Sequence, residues 1–137
     1  MSNARFEEMD FLDELLAPGT YHSTVRSARL RRSSQGNPMV EVVHELADVA
    51  PGQEKVTDYF VLEGASSRGL AVARCRLVEL YRACGLDPHS GDEIRPADLV
   101  GTRIEVKIRH QERDGQLRLQ VVGYRALPRS LDDDVPF

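Results

Sequence analysis

The six residues at the C-terminal end of the sequence combine acidic and apolar chemistry in one short segment. They are Asp132, Asp133, Asp134, Val135, Pro136 and Phe137. Pro136 withdraws a backbone donor and keeps the segment extended, so its apolar side chains cannot start a helix or strand of their own. Such a segment can insert an apolar group into a pocket while its carboxylates steer it toward basic residues. The simpler interpretation is a solvated acidic tail, which most terminal runs of acidic residues are.

The segment 132–137 resembles the Asp-Asp-Asp-Ile-Pro-Phe tip of bacterial single-stranded-DNA-binding proteins, with Val135 at the position that is usually Ile. In that family the tip binds basic and apolar pockets on enzymes of DNA replication, recombination and repair. The resemblance therefore implies that residues 132–137 bind a partner, and that replication or recombination enzymes are the partners.

The net charge of −4 is unevenly distributed along the chain. Residues 1–18 carry one basic and five acidic side chains, and residues 128–137 carry one basic and three acidic side chains. Residues 19–127 hold 16 basic and 14 acidic side chains, a net charge of +2. We therefore expect an acidic, amphipathic N-terminal helical arm (1–18), a central domain (19–127) and an acidic C-terminal tail (128–137). Sixteen of the 18 basic residues are arginine, which suits phosphate contact and stacking on bases.

Hydrophobic periodicity predicts three strands, at 20–32, 39–46 and 55–62, joined by short loops. In the first strand the apolar side changes between Val25 and the pair Ala28 and Leu30, which predicts a β-bulge or a sharp bend. A helical period follows up to Cys84, and Gly85 is placed to end the helix. Two more strands, 102–111 and 117–127, flank a hairpin turn at 114–115.

Individual side chains of these elements can be assigned to the core or to the surface. The helical period places Arg76 and Glu79 on the outside of the helix, together with its other charged residues. His44 and His110 fall on apolar strand faces, where we expect core histidines with satisfied hydrogen bonds. Of the neighbouring rings in the third strand, we expect Phe60 to face the core.

The order strand, strand, strand, helix, strand, strand is that of the OB-fold, a mainly β, five-stranded Greek-key barrel with one helix between strands three and four. Other small α+β sheets share this order. The chain also resembles small phage-encoded single-stranded-DNA-binding proteins. The matching segments are 11–21, which ends in PGTY, the loop 32–38, DYF at 58–60, 77–85, which ends in ACG, and DLVG at 98–101.

This resemblance implies binding on strands two and three and on the loops between strands one and two and strands four and five. Cations there would follow the phosphates, and flat groups would accept bases. The candidate residues for single-stranded DNA binding are Arg29, Arg31, Arg32, Gln35, Asn37, Lys55, Tyr59, Arg109, Arg113 and Arg118. The alternative for the arginines at 29–32 is a solvated strand end. Glu41 and Glu45, on the outward face of the second strand, would repel phosphate.

Motifs of catalytic and metal sites are lacking in the sequence. It has no phosphate-cradling Gly-rich loop that ends in Lys-Ser/Thr and no His-Glu-x-x-His. The acidic residues at 87, 92 and 93 match no known cation-binding loop. Cys75 and Cys84 fall in one predicted helix, which fits a reducing compartment. With no signal peptide and no membrane-spanning apolar run, we expect a cytoplasmic binding protein that is not an enzyme and needs no cofactor, metal or membrane.

These observations favour a phage or prophage protein that coats single-stranded DNA without sequence preference and recruits enzymes through its tip. With only eight aromatic residues, its affinity should depend mainly on charge and fall steeply with salt. Two alternatives stay open. One is an interaction adaptor whose tip mimics the tail of the host protein, and the other is an RNA-binding OB protein. Homo-oligomerisation is also left open by the sequence.

Overall fold

The computed structural model describes residues 16–89 and 91–127, which form a mainly β structure of five antiparallel strands in one sheet with a single α-helix. The elements are β1 (Gly19–Arg32), β2 (Pro38–Leu46), β3 (Lys55–Val61), α1 (Ser67–Ala83), a 3₁₀ helix (Pro96–Leu99), β4 (Arg103–Arg113) and β5 (Gln116–Ala126). The predicted order of strands and helix is confirmed. The predicted N-terminal arm, apart from residues 16–18, and the acidic tail 128–137 lie outside the described residues.

Strand β1 lies at the centre of the sheet, whose strand order is β3-β2-β1-β4-β5. Its first half pairs with β4 and its second half pairs with β2. The register with β2 shifts between Val25 and Ser27, which confirms the predicted bulge. Because one extra residue reverses the alternation of side chains, the residues after the bulge change faces. This change places Arg29 and Arg31 on the outer face of the sheet.

Apolar side chains on the inner face of the sheet and on α1 form the core. The largest fully buried ones are Phe60, Leu80, Leu99, Ile104 and Ile108. Helix α1 begins after Ser66, whose hydroxyl accepts a hydrogen bond from the N–H of Gly69 at 3.1 Å. It ends at Ala83, and Cys84 is followed by Gly85, where a φ of +84° favours glycine and stops the helix as the sequence predicts.

The two edge strands of the sheet approach each other. The Tyr124 hydroxyl in β5 donates a hydrogen bond to the Asp58 carboxylate in β3. The Tyr124 ring also lies 5.4 Å from the ring of His44 and 6.2 Å from the ring of Phe60. In a flat sheet of five strands the edges would be about 19 Å apart, since neighbouring strands are spaced by about 4.8 Å. The sheet is therefore strongly curved around its core.

Two charged side chains of α1 contact the edge of β5. Arg76 is half-buried, so the prediction that it lies on the outside of the helix is wrong, whereas Glu79 is exposed as predicted. The Glu79 carboxylate accepts a hydrogen bond from the backbone N–H of Tyr124 at 2.8 Å. The Arg76 guanidinium donates to the carbonyl oxygen of Val121 at 3.2 Å. An edge strand offers unpaired backbone donors and acceptors, and these long polar side chains satisfy one of each.

The two strand histidines have different environments. The Nε2 of His110, a half-buried residue, lies 2.6 Å from the carbonyl oxygen of Leu16, in line with the expected satisfied histidine. His44 is fully buried beside Tyr124, and in the described part of the chain neither ring nitrogen has a hydrogen-bond partner. Burial lowers the pKa of His44 from 6.5 to about 4. His44 is thus a core residue as predicted, but its hydrogen bonds are not satisfied.

Candidate nucleic-acid interface

The outer face of β1, β2 and β3 presents basic and aromatic side chains in adjacent rows. Residues that pair across antiparallel strands project from the same side of the sheet. Arg29 pairs with Glu41 and Glu41 pairs with Tyr59, so these three form one row, with Arg31 in the next row of the same face. We call the four residues the Arg–Tyr face. Lys55, exposed at the start of β3, lies further along this side of the sheet.

The carboxylate of Glu41 holds the two arginines of the Arg–Tyr face. Arg29 Nε donates to Glu41 Oε1 at 3.0 Å, and Arg31 Nη1 donates to Glu41 Oε2. The Glu41 side chain is 10% exposed, against 65% for Arg29 and 42% for Arg31. The hydrogen bond from Arg31 is the main cause that lowers the pKa of Glu41, and Arg29 adds to it. Glu41 is therefore ionised at neutral pH and lies beneath its partners.

The arginine partners of the two β2 glutamates offset the repulsion of phosphate that the sequence predicts. Glu45, the second one, pairs with Arg26 at 3.1 Å. Around Glu41 and Glu45, four basic side chains (Arg26, Arg29, Arg31 and Lys55) stand against these two carboxylates, a net charge of +2 for this part of the outer face. The arginines also keep donors that the glutamates do not occupy, because a guanidinium carries five N–H groups. The face can therefore attract a phosphate backbone even though it contains glutamates.

Tyr59 supplies the exposed aromatic ring of the Arg–Tyr face. It is 47% exposed while Phe60 is fully buried, which confirms the predicted orientation of Phe60. Asp58 Oδ1 accepts a hydrogen bond from the backbone N–H of Tyr59 at 2.9 Å, and the Arg76 guanidinium lies 4.9 Å from the centre of the Phe60 ring. Buried side chains thus fix the backbone on both sides of Tyr59, whose ring faces solvent where a base could stack.

The loop between β1 and β2 is held by hydrogen bonds of its own residues. The hydroxyl of Ser33 accepts hydrogen bonds from the backbone N–H groups of Gln35 at 3.3 Å and Asn37 at 3.1 Å. Arg32 Nη1 donates to the carbonyl oxygen of Gly36 at 2.8 Å. Gln35 is exposed in this loop. One N–H donor of Arg32 is used to stabilise the loop.

Asn37 connects this loop with the loop that follows β3. Its side chain packs against Gly64, where an added Cβ atom would lie 2.1 Å from the Asn37 side-chain nitrogen. Gly64 also has a φ of +84°, so both space and backbone conformation favour glycine there. Asn37 is half-buried by these contacts, and the structure gives it a packing role.

The second predicted arginine group lies on the hairpin of β4 and β5. Its turn has positive φ at Asp114 (54°) and Gly115 (79°), which confirms the predicted hairpin turn. Arg109 and Arg118 are exposed and project from one side of the hairpin, because Arg118 pairs with Gln111 two residues after Arg109. Arg113 lies in the same strand.

The structure does not place the two arginine groups next to each other along the sheet. Gly19, the first residue of β1, pairs with Ile108, so β4 continues into Arg109 beyond that end of β1. Arg29, Arg31 and Arg32 lie at the other end of β1. The hairpin arginines therefore form a separate basic surface. Lys55 and Tyr59 share a face with the first arginine group.

A polar cluster behind the Arg–Tyr face was not predicted from the sequence. Asp58 accepts hydrogen bonds from both Arg76 and the Tyr124 hydroxyl. Burial raises the pKa of Asp58, although Arg76 opposes that effect, and burial together with Asp58 raises the pKa of Tyr124 well above 10. The sequence carries a signal for this cluster, because Asp58 occupies the inward position of β3 between those of Val56 and Phe60.

No protein-family model matches this chain, and a comparison with curated proteins also gives no match. Among residues 16–89 and 91–127, no group of three or more His, Cys, Asp or Glu side chains is arranged to hold a metal ion. A search of the same residues for a helix with the length and apolar character needed to cross a membrane finds none.

Proposed function

We propose that this chain is a cytoplasmic protein, of phage or prophage origin, that binds single-stranded DNA without sequence preference during replication or recombination. The observation that carries this proposal is the Arg–Tyr face, where an exposed aromatic ring shares a cross-strand row with Arg29, Arg31 lies in the next row, and one carboxylate holds both arginines. Stacking on bases and cation contacts to phosphates are the two requirements of nonspecific single-strand binding.

The finer fold within this proposal is the OB-fold barrel. The strand order β3-β2-β1-β4-β5, the position of α1 between β3 and β4, and the contact of the edge strands through Tyr124 and Asp58 all support it. In OB-folds, nucleic acid binds across strands two and three. That surface includes Glu41 and Tyr59 of the Arg–Tyr face.

In the proposed complex, the DNA backbone follows Arg29 and Arg31 while one base stacks on Tyr59. The hairpin arginines, Arg109 and Arg118, contact phosphates further along the strand. Because the Arg–Tyr face offers one exposed ring, charge supplies most of the affinity. Binding should then weaken steeply with salt, because it releases counterions from each neutralised phosphate and this release becomes less favourable as the salt concentration rises.

The segment 132–137 would recruit replication or recombination enzymes, as the resemblance to the bacterial tip implies. Ten residues follow Leu127, so the segment can reach about 33 Å from the domain at full extension. This distance suits a partner that binds next to the DNA-coating domain. It also allows the acidic segment to compete with DNA for the basic surface of its own chain.

Fluorescence anisotropy with a labelled oligo-dT and a matched duplex, each at low and moderate salt, tests the proposal. Tight binding of the single strand, weak binding of the duplex and a steep loss with salt are expected. No binding of oligo-dT at low salt would exclude the DNA-coating function. The adaptor would then be the leading function, tested by a pull-down with and without residues 132–137. An oligo-U of equal length tests the RNA-binding alternative, which stronger binding of the RNA would favour.

A further inference from the structure

Glu41 has an environment that is unusual for a carboxylate on a surface proposed to contact phosphate. Its side chain is 10% exposed although it lies on the outer face of the sheet, because Arg29 and Arg31 cover it. Each of its oxygens accepts a hydrogen bond from a different arginine. In contrast, Glu45, on the same face of β2, is 41% exposed, and its one ion pair among the described residues is with Arg26.

A carboxylate in this position fixes the direction of both guanidinium groups. Arg29 uses its Nε on Glu41, and Arg31 uses one of its terminal nitrogens. The remaining N–H groups stay available on the exposed part of each side chain. An arginine without a partner samples many rotamers and loses that freedom when it binds a phosphate. Glu41 removes much of this freedom before the ligand arrives.

We propose that Glu41 is a positioning residue for the phosphate-binding arginines, so that this negative charge strengthens the binding of single-stranded DNA. The inference rests on the proposed function. It reverses the simple electrostatic expectation, in which any glutamate on a DNA-binding face weakens binding. The two accounts predict opposite signs for the same substitution.

The substitution Glu41→Gln keeps the size of the side chain and removes its charge. If Glu41 positions the arginines, the affinity for oligo-dT at moderate salt should fall by about threefold to tenfold, as two side chains must be ordered on binding. If charge alone matters, the affinity should rise, and the salt dependence should become steeper since both arginines become unpaired cations. The matched control is Glu45→Gln, for which unchanged or tighter binding is expected.

A second pair of variants keeps the charge of the protein constant. Arg29→Lys keeps the cation but loses the planar donor that contacts Glu41, and Arg26→Lys makes the equivalent change at the Glu45 pair. We expect Arg29→Lys to weaken binding by at least threefold more than Arg26→Lys. Equal effects of the two lysine substitutions would contradict the inference even if Glu41→Gln were too unstable to purify.

The wild-type protein separates failure of this inference from failure of the proposed function. Wild-type protein that does not bind oligo-dT overturns the proposed function and the inference with it. Wild-type protein that binds, together with a Glu41→Gln variant that binds equally well or better, overturns the inference alone. Thermal unfolding of each variant, followed by circular dichroism, checks that the compared proteins are folded at the temperature of the binding measurement.

Discussion

Two arginine–carboxylate clusters lie on opposite sides of the sheet and have opposite properties. On the outer face, Glu41 lies beneath two exposed arginines, and its pKa is lowered by them. On the inner face, Asp58 contacts Arg76 and Tyr124, and burial raises its pKa. Carboxylate and guanidinium groups therefore have different roles in the two clusters, according to how much water surrounds them. The outer cluster keeps donors for a ligand, whereas the inner cluster uses its polar groups to join β3, β5 and α1.

The largest effect should follow from removal of Arg76. Arg76→Met leaves the Asp58 carboxylate without its cation and the Val121 carbonyl without its donor, and we expect a loss of about 3 kcal/mol in the free energy of unfolding. Urea denaturation measures this loss. The matched change on the outer face, Arg29→Met, should cost less than about 1 kcal/mol because an exposed ion pair is weak. Equal losses for the two variants would contradict the distinction between the clusters.

The titration of His44 tests a second difference between the inner and the outer face of the sheet, namely how stability depends on pH. The folded protein keeps His44 neutral down to about pH 4, while the unfolded chain binds a proton near 6.5. Protonation therefore favours the unfolded state, so stability is complete above pH 6.5 and falls as the pH decreases toward 4, by about 2 kcal/mol at pH 5.

The variant His44→Leu separates this contribution from that of Asp58, which is present in both proteins. Urea denaturation at pH 7 and pH 5 should show a smaller acid-induced loss for His44→Leu than for the wild type. An identical loss in the two proteins would show that His44 does not titrate in this range. The Arg–Tyr face has no histidine, so the same variant should leave the binding of oligo-dT at pH 7 unchanged.

On the outer face, Tyr59→Ala should weaken the binding of single-stranded DNA by about tenfold, through loss of base stacking. Anisotropy with labelled oligo-dT measures this effect. Tyr59→Phe keeps the ring and should bind within about twofold of the wild type. Because Tyr59 is exposed, neither change should alter stability by more than about 0.5 kcal/mol. Unchanged affinity for Tyr59→Ala would remove the ring from the proposed interface.

The smallest effect concerns the acidic segment. Deletion of residues 132–137 removes three carboxylates that can compete with DNA for basic side chains, and we expect about twofold to threefold tighter binding at low salt. The difference should disappear at high salt. An unchanged affinity at low salt would exclude competition with DNA and leave partner binding as the role of the segment.

Much of the fold follows from patterns that are local in the sequence. The bulge after Val25 comes from a change of alternation, the end of α1 comes from Gly85, and the hairpin comes from Asp114-Gly115. The burial of Phe60 also follows from alternation in β3. Each of these features depends on a few neighbouring residues, so single-sequence reasoning can recover it.

Features that depend on pairing between elements could not be recovered in the same way. The helical period assigns Arg76 to the outside of α1 because it separates apolar from charged positions, but the long side chains of Arg76 and of the exposed Glu79 both reach the edge of β5. The pairing of Glu41 with Arg29 depends on the register of β1 with β2. A shift of one residue in the register of β1 with β2 would move either side chain to the other face. The sequence alone does not determine this register.

The contacts of α1 with β5 restrict how another copy of this protein could pair with its sheet. The backbone N–H of Tyr124 and the carbonyl of Val121 are already bonded to Glu79 and Arg76. A neighbouring molecule cannot add a strand to β5 at this point without displacing both side chains. Growth of a filament by continuation of the sheet is thus blocked on this edge, as is uncontrolled aggregation there. In the proposed function, a cooperative contact between neighbours on DNA would have to use another part of the surface.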